Sequence, residues 1–150
     1  LEGHSDADVL THAACDALLG AAALGDIGTH FPDTDPRFAG ASSLELLARV
    51  VALVRGRGLV LSNLDGIVLA QRPKIALHIP AIRERLAAVL SVEPDRVSVK
   101  AKTGEGLDAV GRGEGIAAHV VALLVNTSGA RDERSETPAI LSGNKSDTAV

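Results

Sequence analysis

Between Leu59 and Ala70 the chain reads LVLSNLDGIVLA. A run this rich in Val, Leu and Ile, closed by glycines on one side and by the QRPK loop on the other, is a strand. The interruption from Asn63 to Gly66 predicts a bulge within it. Two further segments have strand character. RVSVKAK, Arg96 to Lys102, alternates apolar and polar as a half-buried strand does, and Ile116 to Val125 is strongly apolar and Val-rich. Around these lie three helical segments. Val9 to Leu24 is Ala/Leu-rich without an internal proline, with Asp8 as its cap or in its first turn. Leu44 to Val54 has helical spacing behind Ser42 or Ser43 as cap. The third helix runs to about Leu90 with Pro80 in its first turn. The expected fold class is α+β, a single domain with a sheet packed against helices. The domain spans residues 1–126, and the polar, aperiodic residues 127–150 are expected to be a disordered tail.

Composition narrows the function. The chain has 150 residues, enough for one sizeable core. With two Phe and no Tyr or Trp, that core is aliphatic, and base-stacking platforms are excluded. A net charge of −4 argues against nucleic acid or a membrane surface as partner, and no apolar run reaches membrane-spanning length. Cys15 is the only cysteine, so no internal disulfide forms, and its place in an apolar helix reads as core.

The polar motifs are each open to two readings. Asp8, His12 and Asp16 share a helix face, where a carboxylate could orient a metal-binding imidazole or the three could form a solvated stripe. His4 and Ser5, just before the helix, could hold an anion or serve as a capping segment. Asp26, Asp33 and Asp35 in GDIGTHFPDTDP could bind hydroxyls or a cation, or simply form turns. Arg72 and Lys74 in QRPK, the KTGEG loop and GRGEG could touch phosphate or be plain loops. There is no Walker loop, no GxSxG and no CxxC.

Taken in order, GHSDADVLTHAACDALLGAAALGDIG, HFPDTDP, AQRPK with HIP soon after, and VSVKAKTGEGLDAVGRGEG resemble one family over roughly Leu1 to Val125: the 2-C-methyl-D-erythritol 2,4-cyclodiphosphate synthases of non-mevalonate isoprenoid synthesis. The resemblance implies a homotrimer of α+β subunits with active sites between neighbours. It implies a lyase that converts 4-diphosphocytidyl-2-C-methyl-D-erythritol 2-phosphate to the cyclodiphosphate and CMP. It also implies zinc, or another divalent cation, plus magnesium or manganese as cofactors.

Carried over by motif, His12 is the zinc-ligand histidine and Glu105 helps hold the second metal. His4 and Thr103 are the catalytic positions, with Ser5 also touching substrate. Asp26, Ile27 and Gly28 hold the methylerythritol part, and Phe31, Pro32, Asp33, Thr34 and Asp35 continue that wall. Ala70, Gln71, Arg72, Pro73, Lys74, Ile75 and Ala76 surround the cytidine end. Lys102, Thr103, Gly104 and Glu105 form a loop at the phosphates, with Ala109 and Arg112 beyond it. Arg112 and Glu114 resemble residues near the trimer axis, where some relatives take an isoprenoid diphosphate.

The departures are specific. KTGE stands where the commoner loop reads TTTE, and Ala109 stands where an aromatic is frequent. No Asp-x-His occurs in the chain, although the family draws two zinc ligands from one on its first strand. The expectation is that this strand and its hairpin lie before Leu1, that the 150-residue chain binds zinc poorly, and that it turns over little. The alternative function is a non-catalytic trimer that binds isoprenoid diphosphates in its central cavity. The resemblance places the protein in a bacterial cytosol, or in a plastid given an upstream transit peptide.

Overall fold

The structure, a computed structural model, describes the backbone of residues 2–72 and 74–127, with side chains from Ala7 onward. Pro73 and the expected tail beyond Thr127 lie outside the described residues.

The first helix, α1, spans Glu2–Ala21. It begins earlier than the apolar pattern predicts, and it takes in residues 4 and 5, which were expected to precede it. Acidic residues early in a helix suit its positive end, so the HSDAD stretch can start one. Its buried stripe is helical in period: Leu10, Ala14, Leu18 and Ala22 form one row, and Thr11, Cys15 and Leu19 the next. Asp8 is therefore inside the helix and does not cap it. The helix stops where Ala23 turns left-handed at φ 56° and Gly25 follows at φ 88°.

A single turn, α2, spans Ile27–His30. The next helix, α3, spans Ser43–Gly56 and is capped by Ser42. There the Ser42 hydroxyl accepts from the Glu45 N–H, and the Glu45 carboxylate accepts from the Ser42 N–H. Strand β1 spans Leu59–Leu69. Helix α4, Ile79–Leu90, carries proline in its first turn. Strands β2, Val97–Lys102, and β3, Ala117–Asn126, are the last elements among the described residues.

The three strands lie in the order β2-β1-β3. β1 pairs with β2 in parallel, Leu64 opposite Val97 through Leu69 opposite Lys102. β1 pairs with β3 antiparallel, and the bulge falls between Leu61 and Asn63, just ahead of the predicted interruption. Gly66 has a different role. A Cβ there would come within 2.9 Å of Leu10 Cδ1, so its absence lets α1 lie close on the sheet.

The core sits between the helices and one face of the sheet. Leu10, Leu18, Leu47, Val50, Leu64, Val68, Leu86 and Val97 are all within 2 % of full burial. Cys15 belongs to it, and burial, with the Asp16 charge second, pushes its thiol up to about 12. The raised value means the neutral thiol is the folded form; its stabilising contribution is full below pH 9.0 and fades as pH rises toward 12. Native protein at pH 8 is therefore expected to leave Ellman's reagent unreacted, with one thiol per chain released on unfolding in guanidinium. Rapid labelling of the native state would contradict the packing.

Candidate active site

Parallel pairing of β1 and β2 brings their carboxyl ends together, the usual place for a ligand in such a sheet. The two loops that leave there are Ala70–Ala76 and Lys102–Glu105. They are joined at the root, where the Ala70 N–H donates to the Lys102 carbonyl at 3.0 Å. Ala70 and Ile75 are buried and fix the first loop, while Arg72, Lys74 and Ala76 are exposed. Gln71 is half-buried, and its Oε1 has no hydrogen-bond partner among the described residues.

The glycines beyond Lys102 serve close approach. A Cβ on Gly104 would lie 2.4 Å from the Gly111 nitrogen, and one on Gly111 would lie 2.6 Å from the Gly106 nitrogen. The loop thus folds back on itself, backbone against backbone. Asp108 closes it: its carboxylate accepts from the Gly111 N–H at 2.7 Å, and its carbonyl accepts from the Arg112 N–H at 2.9 Å. Asp108 is a residue that motif reading missed, although an Asp three residues before a Gly is a turn signal. Thr103, Glu105 and Ala109 are presented outward, and Glu105 sits at φ 50°, a conformation costly for a residue with a Cβ. Arg112 and Glu114 pair with each other in two contacts of 2.8 and 3.1 Å at the surface.

The GDIG and FPDTDP segments follow the end of α1. Asp16 ties them down: its carboxylate accepts from the Ile27 N–H at 2.8 Å. This anchor was also missed, because Asp16 read as part of a polar stripe with His12. Asp26 caps α2, accepting from both the N–H and the hydroxyl of Thr29 at 2.8 Å. Those bonds, the hydroxyl's first, hold its carboxyl below the usual range. The cap is therefore complete above the ordinary Asp range and is lost as pH falls through the depressed value. Gly28 is exposed, Phe31 and Pro32 are half-buried, and Asp33 and Thr34 are exposed. Asp35 grips the Arg37 guanidinium at 2.7 Å, and that hydrogen bond lowers its carboxyl.

His12 is exposed on α1. Its Nδ1 donates to the Asp8 carbonyl oxygen at 2.8 Å, which leaves Nε2 with the lone pair a metal would need. The expected carboxylate–imidazole pair is not formed. Instead, the Asp8 carboxylate accepts from the Ser43 hydroxyl at 2.5 Å and ties α1 to α3. Among the described residues no three His, Cys, Asp or Glu side chains converge on a point where a metal ion could sit. These residues by themselves do not hold the zinc that the resemblance implies. The side chains of His4 and Ser5 lie outside the described atoms.

No hydrogen bond or ion pair among the described residues links the loops of the sheet end to the GDIG–FPDTDP segment. The chain thus carries two groups of candidate residues, each internally well fixed. The architecture is that of a small α+β domain with polar loops at the carboxyl ends of two parallel strands and a second polar segment at a helix end.

Comparison with known proteins makes this specific. The YgbB family profile matches residues 1–125, and the chain belongs to that family. It is 61 % identical over 125 residues to the 2-C-methyl-D-erythritol 2,4-cyclodiphosphate synthase of Trichlorobacter lovleyi, covering 83 % of this chain and 80 % of the relative. It is 64 % identical over 124 residues to the same synthase of Symbiobacterium thermophilum, covering 83 % and 79 %. A solved 2C-methyl-D-erythritol-2,4-cyclodiphosphate synthase in a CDP-bound form superposes with a TM-score of 0.71 at 39 % identity, over 77 % of this chain and 74 % of that one. Among the described residues no helix is long and apolar enough to cross a membrane.

Proposed function

We propose that this chain forms 2-C-methyl-D-erythritol 2,4-cyclodiphosphate from 4-diphosphocytidyl-2-C-methyl-D-erythritol 2-phosphate and releases CMP. The observation that carries the reading is the junction at the sheet end, where Ala70–Ala76 and Lys102–Glu105 meet through the Ala70–Lys102 hydrogen bond. In the reaction an oxygen of the 2-phosphate bonds to the β-phosphorus, and the bond from that phosphorus to the bridging oxygen of CMP breaks. Both groups belong to one molecule, so holding them in line supplies much of the rate.

The roles follow from position. The Ala70–Ala76 loop, Pro73 included, takes the cytidine, with Gln71 Oε1, which has no partner among the described residues, as an acceptor. Lys102, Arg72 and Lys74 offset phosphate charge, and Thr103 donates to the phosphate that is transferred. Asp26, Ile27 and Gly28, with Phe31 to Asp35, take the methylerythritol. His4 and Ser5 approach the phosphates from α1. With further ligands from outside the described residues His12 would help hold zinc, and Glu105 would help hold magnesium or manganese; such cations would supply Lewis acidity.

No hydrogen bond or ion pair among the described residues joins the two groups, which favours a site completed by a second copy. The outward face of β3 supports a trimer: Val121, Leu123 and Val125 are 73, 56 and 44 % exposed on one side of the strand. Replacing Val121 with aspartate is expected to convert a trimer to smaller species in light scattering. The same change should weaken binding of the full diphosphocytidyl substrate much more than binding of CDP, because the nucleotide loops of one chain are unaltered. A parent chain that is monomeric and still binds the full diphosphocytidyl substrate more tightly than CDP would overturn the two-subunit site. The alternative, a non-catalytic trimer holding an isoprenoid diphosphate beside Arg112 and Glu114, is less well supported, because the relatives at 60 % identity and above are named as synthases.

A further inference from the structure

The loop from Phe31 to Ala41 is shaped by its own backbone. Asp35 N–H donates to Pro32, Phe38 N–H to Asp35, and Ala41 N–H to Phe38. Bonds within a loop fix its form but not its place on the molecule. Place is set by side chains that reach beyond it. Phe31 does so at one end, packing against the core. At the other end is Phe38, whose ring meets Phe31 edge-on at 5.0 Å and 84°. Two guanidiniums lie over that ring, Arg37 at 5.3 Å and Arg49 at 5.4 Å from its centroid. Both distances are within cation–π range. Arg37 belongs to the loop and is held by Asp35. Arg49 belongs to α3, one residue before the fully buried Val50, so it rides on a fixed helix.

The geometry points to Arg49 as a positioning residue: through Phe38 it sets where Phe31–Asp35 stands. This rests on the reading that Phe31–Asp35 walls the methylerythritol part of the substrate. Arg49 escaped sequence reading because it falls on the polar face of an amphipathic helix, where an arginine is unremarked.

The test compares the parent chain with Arg49→Ala and Arg49→Lys. Amide hydrogen exchange across residues 31–41 is measured without ligand, and affinities are measured separately for CDP and for the full diphosphocytidyl substrate. Arg49→Ala is expected to speed exchange in 31–41 about two- to fivefold, the range an exposed cation–π contact supports, without change in α3. It should weaken the full substrate by a similar factor and leave CDP affinity alone. Arg49→Lys keeps a cation over the ring and should restore both. Unchanged exchange in Arg49→Ala overturns the proposal, as does a loss for CDP equal to that for substrate. A parent that binds neither ligand instead defeats the synthase reading, and the exchange result then decides the role of Arg49 alone.

Discussion

Replacing Gly111 with alanine is expected to lower CDP affinity and cyclodiphosphate formation by about a hundredfold, the scale at which a displacement near 1 Å damages a positioned reaction. The cause is steric. The new Cβ would meet the Gly106 nitrogen at 2.6 Å, the Leu107 nitrogen at 2.7 Å and the Gly104 oxygen at 2.8 Å. All three are backbone atoms, so no rotamer change relieves the clash. The loop must open, which breaks the bonds from Leu107 N–H to Gly104 and from Gly111 N–H to the Asp108 carboxylate. Thr103 and Glu105 move with it. The helices lie elsewhere, so far-ultraviolet circular dichroism should be nearly unchanged. Gly115→Ala is the matched control, because a Cβ there meets nothing within 4 Å. Equal CDP affinity in Gly111→Ala and Gly115→Ala would remove the loop from the site.

The largest loss of stability is expected from Leu47→Ala. Leu47 is fully buried where α3 meets the rest of the core. Truncating such a leucine removes its transfer free energy and leaves a cavity, at a cost of about 2–5 kcal/mol. Against a total stability of roughly 5–15 kcal/mol for a domain, that is a sizeable fraction. At about 2–4 °C per kcal/mol for a chain of this size, the midpoint should fall by roughly 5–20 °C. Leu77→Ala provides the contrast. Leu77 is 80 % exposed, and its loss should shift stability by no more than about 0.5 kcal/mol. A calorimetric scan that found the two variants alike would contradict the placement of the core.

What could be read from the sequence, and what could not, divides by range. Periodicity found α3 and β2, apolar Val-rich runs found β1 and β3, and Pro80 marked the start of α4, each to within a few residues. The cap of α3 was narrowed to Ser42 or Ser43, and the structure uses Ser42. The start of α1 was not legible, since HSDAD has no apolar repeat and its helical course depends on acids suiting a helix start. Asp8 shows the same limit. Its spacing from His12 suggested a pair, but its carboxylate is taken by Ser43, 35 residues away. Asp16, Asp108 and Arg49 act through contacts with a backbone N–H or a ring that no local pattern announces. The motifs named the site loops because they resemble a family; spacing alone left each of them open. Register then placed Ala70 against Lys102, which no motif could state.

The most direct measurement is CMP release from 4-diphosphocytidyl-2-C-methyl-D-erythritol 2-phosphate with zinc and magnesium present, followed by phosphorus NMR. It should be run on the 150-residue chain and on the same chain carrying an upstream segment with Asp-x-His. Few metal ligands converge among the described residues, so the shorter chain is expected to hold well under one zinc and turn over slowly. The extended chain should release CMP and cyclodiphosphate in equal amounts. If neither chain forms cyclodiphosphate while both fold and bind CDP, the account of this protein as a cyclodiphosphate synthase is wrong.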